Sequence, residues 1–270
     1  MARTRLIALA VVGLVGALLI ALVPPAAQGQ GRRGAPPPAP TGPAPRGPDG
    51  KPDFSGFWDW PHAPGQPARG ATVFDKSRFA PFVSGGEALF YEPRTGDPRH
   101  DEPRAFCMPS GFPSNLFGPY PVQIVQRPGW LVMVHEFMRM TRLIPLDGRA
   151  HRDVEPTYLG DPVGRWEGDT LVVVNKNFKR WSLDDYYYQD QTQYRMHSDA
   201  VTMTERLRRT NAATVSYELT IEDPKIFTRP WSQAFEMTQH PEWEQAGLYE
   251  FVCEENNRCA GGNCRGPSTP

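Results

Sequence analysis

Val201-Thr-Met-Thr-Glu-Arg-Leu-Arg-Arg-Thr-Asn-Ala-Ala-Thr-Val-Ser-Tyr-Glu-Leu-Thr-Ile-Glu222 decides the fold class. In its second half, Val215, Tyr217, Leu219 and Ile221 fall on one face at a period of two. Ser216, Glu218, Thr220 and Glu222 fall on the other. In its first half Val201, Met203 and Leu207 repeat the pattern. Strict alternation is the signature of strands buried on one face only, as in antiparallel sheets. The polar break at Asn211-Ala212-Ala213 joins the two halves as a hairpin.

Further strands follow on both sides. Residues 120–127 and 130–138 flank a Pro128-Gly129 turn, and 139–145 continues to an Asp147-Gly148 turn. Residues 163–166 and 170–176 flank Glu167-Gly168, where glycine supplies the positive φ that such a turn needs. Short strands are predicted around 226–228, 233–238 and 248–253, and a first one over 53–60. Thirty prolines and 25 glycines break helices, so none is predicted to exceed about three turns. A short helix is placed near 86–91. The rest of 61–119 has no clear period and reads as a lid or wrapping loop. Roughly ten strands joined by short turns predict an all-β, antiparallel fold with long irregular loops. The opening Gly56-Phe57-Trp58 resembles the start of lipocalins and calycins, which implies a β-barrel; a β-sandwich is the alternative.

The chain ends carry different signals. Arg3 and Arg5 precede an apolar run from Leu6 to Val23, then Pro24, Pro25 and the small-x-small triplet Ala27-Gln28-Gly29. Residues 1–29 therefore read as a secretion signal cleaved near Gly29, and a membrane contact is expected only if it stays uncleaved. Residues 30–50 lack large apolar side chains and are expected to be a disordered Pro/Gly-rich linker. The β domain is placed at 51–255 and a flexible tail at 256–270. Export predicts a periplasmic or extracellular location, where disulfides form. Four cysteines allow three pairings. Cys107 opens an irregular segment and Cys253 ends a predicted strand, so their bond would pin the loop to the sheet. The rival pairs Cys253 with Cys259 or Cys264. A net charge of −1 gives no reason to expect a nucleic-acid partner.

Chemistry is less legible. Glu205 shares the apolar face of Val201, Met203 and Leu207, and a buried carboxylate needs a partner. It is an acid/base group, a metal ligand, an ion-pair partner of an inward arginine such as Arg142, or turned outward by a bulge. His135 and Glu136 are adjacent on one strand, so one must point inward. His151 and His197 lie near strand ends. With Glu205 they form the candidate catalytic set for a lyase, isomerase or hydrolase. No spacing assigns a metal or a cofactor. Trp58, Trp231 and Arg142 are the candidate walls and anchor of an aromatic pocket.

Several blocks resemble a family of secreted bacterial proteins: Pro52-Asp-Phe-Ser-Gly-Phe-Trp58, Cys107-Met-Pro-Ser-Gly-Phe-Pro113, Asp147-Gly-Arg-Ala-His151, Gly164-Arg-Trp-Glu-Gly-Asp-Thr-Leu-Val-Val173, Glu205-Arg206, Glu222-Asp-Pro224, Pro230-Trp231 and Tyr249-Glu-Phe-Val-Cys-Glu-Glu-Asn-Asn257. In that family the stretch after Asp-Gly-Arg usually reads His-Pro, where this chain has Ala150-His151-Arg152. The resemblance brings no activity with it, but it supports the Cys107–Cys253 pairing, because both residues lie in its blocks. The function expected is binding of a small, largely apolar molecule in a barrel. The enzyme above and a structural role in the cell envelope are the alternatives.

Overall fold

The computed structural model describes residues 38–65, 74–101, 103–118, 120–184 and 193–253. The expected signal segment and the expected C-terminal tail, with Cys259 and Cys264, lie outside the described residues. The fold is all-β and antiparallel. One sheet has the order β1 (Gly56–Trp58), β3 (Val122–Arg127), β4 (Trp130–His135), β5 (Thr141–Pro145). A second runs β12 (Trp231–Thr238), β11 (Thr214–Glu222), β10 (Thr202–Arg209), β7 (Thr170–Lys176), β6 (Asp161–Glu167). A small third sheet joins β2 (Tyr91–Pro93), β9 (Gln193–His197) and β8 (Trp181–Ser182). The longest helix among the described residues is α1, Gly86–Phe90.

The alternation read from the sequence sets the inner faces. Met203, Glu205 and Leu207 of β10 are buried beside Val215, Tyr217, Leu219 and Ile221 of β11. The register pairs Glu205 with Leu219 on one side and with Val173 on the other. From the facing sheet Val122, Ile124, Leu131, Met133 and Ile144 enter the same core.

Backbone contacts also join the two large sheets at both margins. On one side the chain after β1 meets β12: Asp59 N–H donates to the Thr238 carbonyl at 3.0 Å, and His62 and Glu236 exchange bonds of 3.0 and 2.7 Å. Gly56 has a φ of 130° here, and a Cβ on it would come within 2.5 Å of the Gln239 amide, so only glycine fits. On the other side Gly148 N–H donates to the Gly164 carbonyl at 3.0 Å. A Cβ on Gly164 would lie 2.8 Å from Leu146.

Three expectations change. Residues 226–228 form a turn, not a strand: the amides of Ile226 and Phe227 both donate to the Asp223 carbonyl, with Pro224 stopping the ladder. Residues 248–253 form no strand but an irregular strap. Tyr249 N–H donates to the Glu136 carboxylate at 2.9 Å, and Phe251 packs edge-on against Phe137. The linker expected over 30–50 is held to the domain where it is described. Arg46 makes a bidentate pair with Asp169 at 2.9 and 2.7 Å, and Ala212 N–H donates to the Gly42 carbonyl.

The irregular segment 74–118 contributes to the core rather than merely covering it. Phe74, Phe90, Phe112, Leu116 and Phe117 are all buried in the main hydrophobic cluster. A disulfide joins Cys107 to Cys253, with Cα atoms 5.7 Å apart and a sequence separation of 146. Because 248–253 is not a strand, the bond ties this segment to the strap and not to a sheet. Replacing both cysteines by serine should lower the unfolding free energy by about 2–4 kcal/mol, measured by denaturant titration; an unchanged midpoint and slope would contradict the constraint.

Candidate functional site

The inner faces carry one charged group each towards the same point. Arg142 stands on β5, opposite Met133 of β4. Glu205 stands on β10, and Tyr217 on the neighbouring β11. Arg142 Nη1 donates to Glu205 Oε2 at 2.9 Å and Nη2 to Oε1 at 2.5 Å, while the Tyr217 hydroxyl donates to Oε2 at 2.9 Å. Both members of the ion pair have side chains 0% exposed. The pair thus bridges the two large sheets through the core. The Phe112 ring lies flat to the charge, with its centroid 4.0 Å from the guanidinium carbon, an attraction that strengthens when desolvated. Burial works against the arginine charge, but the charge and hydrogen bonds of Glu205 outweigh it and raise the Arg142 pKa. Burial first, and then the Glu205 charge, push the Tyr217 phenol well above its ordinary value, so it stays a donor.

Several buried polar atoms have no hydrogen-bond partner among the described residues. Arg142 Nε and both ring nitrogens of His135, which feels the Arg142 charge, belong to this site; both side-chain amide atoms of Asn115 lie three residues beyond Phe112, and Trp60, Asn175, His197 and Trp231 carry others elsewhere. His135 is the inward member of the His135–Glu136 pair. Burial, and then the Arg142 charge, push its pKa down to about 3, so the ring is neutral. Asn115 sits in a short 3-10 turn, Ser114–Leu116, just after Phe112. Native cores pair nearly all such atoms, and each orphan costs about 1–3 kcal/mol.

The three candidate catalytic residues are not brought together. His151 is partly exposed, its Nδ1 2.9 Å from the Asp161 carbonyl. His197 is buried at the end of β9, its Nδ1 3.0 Å from the Ser198 carbonyl and its ring packed edge-on to Phe178. Burial lowers its pKa to about 4. Phe178 stacks on Phe112, so two phenyl rings and Arg142 lie between His197 and Glu205. The pocket candidates are also spread out. Trp58 donates its indole N–H to the Phe54 carbonyl at 2.9 Å, under Arg209. Trp231 packs among Phe74, Phe79 and Phe227. Trp58 bridges Gln239 beyond the end of β12, whereas Trp231 opens that strand, so the two backbones meet β12 at opposite ends. Only Arg142 belongs with Glu205.

Sequence reasoning missed Tyr217, Phe112 and Asn115 as members of this cluster. Tyr217 was on the inward face by parity, and the hairpin register brings it diagonal to Glu205. Phe112 and Asn115 sit in an aperiodic segment that gives no such signal. No family model and no curated protein matches this chain.

Two outcomes follow from these energetics. Arg142→Met alone should cost about 3–5 kcal/mol because it leaves Glu205 buried and unpaired, whereas Arg142→Met with Glu205→Leu should recover most of that loss; additive losses in a double-mutant cycle would contradict the pairing. The second concerns pH. A histidine with a depressed folded pKa contributes stability above its unfolded pKa of 6.5, and loses it as pH falls towards the folded value of about 3. His240 acts in the opposite sense: burial opposes its charge, but Asp59 and Glu242 overcome that and raise its pKa. The readout is therefore a difference. Wild type should lose about 2 kcal/mol more than His135→Phe between pH 6.5 and 4.5, and parallel curves would mean that His135 protonates in place.

Proposed function

We propose that this chain is an exported binding protein for a small, largely apolar molecule carrying one or two hydrogen-bonding atoms. Its scaffold would be a calycin-like barrel in which β5-β4-β3-β1 and β12-β11-β10-β7-β6 meet at two seams. The hydrogen bonds at both margins and the Gly56-x-Trp58 opening support that reading; two stacked sheets of a sandwich would not need both margins bonded. The disulfide fits an oxidising compartment, and the apolar N-terminal run fits export.

One observation carries the ligand reading: polar atoms of Arg142, of His135, which feels its charge, and of Asn115, three residues beyond the ring that covers Arg142, are left unpaired by the described residues in a core otherwise filled with aromatic and aliphatic side chains. A scaffold gains nothing from leaving them unpaired. A ligand with an apolar body and a carbonyl, phenol or ether oxygen would pair them, with Arg142 fixed in place by Glu205 and Tyr217. Acid/base catalysis by Glu205 is less well supported, because its carboxylate is already bound by three donors and touches neither candidate histidine.

Asn115→Leu and His135→Phe separate the two roles. If the groups serve a ligand, each replacement should raise the melting temperature of the free protein, by removing an orphan, and abolish the thermal shift given by whichever of a panel of phenols, aromatic acids and fatty acids stabilises wild type. Destabilised variants, together with no compound shifting wild type, would contradict the proposal.

A further inference from the structure

We infer that the site is occupied in the free protein by the chain's own segment Ser110–Phe117, and that the Cys107–Cys253 disulfide and the C-terminal strap latch this plug in place; the inference rests on the binding role proposed above. The segment enters the core without joining any sheet. Phe112 lies over Arg142 at 4.0 Å and against Phe178, while Leu116 and Phe117 are buried beside it, Phe117 against Phe74 and Phe235. Aromatic rings therefore fill the place that an apolar ligand body would take.

Its backbone is tied down weakly. The hydrogen bonds of Asn115, Leu116 and Phe117 amides close within the segment, to Gly111, Pro113 and Ser114. Among the described residues its bonds to the rest of the molecule are Phe112 N–H to the Tyr158 carbonyl, the Trp181 indole to the Pro109 carbonyl at 2.8 Å, a Ser110 hydroxyl contact to Met138 sulfur and a contact of His197 with the Phe112 backbone. A piece held by its own internal bonds can move as a unit without breaking a ladder. It also carries Asn115, whose orphaned atoms make the closed state costlier than a fully paired core and which, at the border of the opened site, would find its partner in the ligand.

The latch stands at its N-terminal end. Cys107 precedes the plug and is bonded to Cys253. The strap bearing Cys253 is anchored at Glu136 and Phe137, next to His135. Loosening the strap should thus favour the open plug while leaving both large sheets intact.

Hydrogen exchange read by mass spectrometry, together with titration by the fluorescent apolar anion 8-anilinonaphthalene-1-sulfonate, tests this on wild type, on Phe251→Ala, which weakens the strap alone, and on the double cysteine-to-serine variant. Folding of each is checked by near-ultraviolet circular dichroism. In folded Phe251→Ala, residues 108–118 should exchange at least tenfold faster than in wild type with β10 and β11 unchanged, and the dye should bind one to one with at least tenfold higher affinity. Exchange at 108–118 as slow as in β10 in both variants would overturn the latch, whatever the protein binds. Fast exchange of the plug without saturable dye binding would overturn the self-occupied site and the binding role beneath it, leaving only a mobile loop.

Discussion

An arginine and a glutamate in a dry core constrain everything else in this protein. Two charges taken out of water cost several kcal/mol each, and only good geometry with further hydrogen bonds repays that cost. Here the geometry is bidentate, and Tyr217 adds a third donor to the Glu205 carboxylate. Arg142 comes from one large sheet and Glu205 from the other, so the pair sets their relative placement as well as their spacing. The core around it contains aliphatic side chains that fit many registers, whereas a fork-shaped ion pair fits one. A one-residue slip of β10 would turn Glu205 to solvent and leave Arg142 uncompensated.

The same pair explains why an irregular segment can be part of the interior. A guanidinium whose charge is met by a carboxylate still presents an open face, and the Phe112 ring covers it. The segment 74–118 is long, rich in proline and glycine, and outside the large sheets, yet its aromatic residues complete the core. A second buried pair, Arg195 with Asp184, works in the small sheet, where Arg195 also donates to the Phe74 carbonyl and lies against the Phe79 ring. Both ends of the segment's aromatic cluster are therefore organised by arginines, and the disulfide with its strap closes over the outside.

How much of this was legible depends on which residues are considered. The hairpin from Val201 to Glu222 was readable because a half-buried strand writes its two faces into alternate positions, and Glu205 stood out as a charged residue in the middle of an apolar face. Its partner could be named because Arg142 lies on the inward parity of its own strand. The strands β2 and β9 were not legible: β2 has three residues, and its pairing partner lies about a hundred positions away, so neither local period nor turn chemistry marks it. Residues 248–253 look like a strand by composition, but no sheet edge among the described residues takes them up, and the Tyr249 amide goes to Glu136 instead. Nor could any pattern announce Phe112 or Asn115, whose positions are fixed by the fold around them. His151 and His197 were singled out by chemistry alone, and chemistry without placement did not bring them to Glu205.

The Arg142 side chain reports on all of this at once. Its Nε–H is buried, has no hydrogen-bond partner among the described residues and belongs to a guanidinium lying over the Phe112 ring. In a nitrogen-15 spectrum of the guanidinium groups, assigned through Arg142→Met/Glu205→Leu, the account predicts one Nε–H signal that exchanges slowly with water, is displaced by the ring current, and shifts again when a saturating ligand displaces Phe112. A rapidly exchanging Arg142 signal at the ordinary arginine position would contradict it.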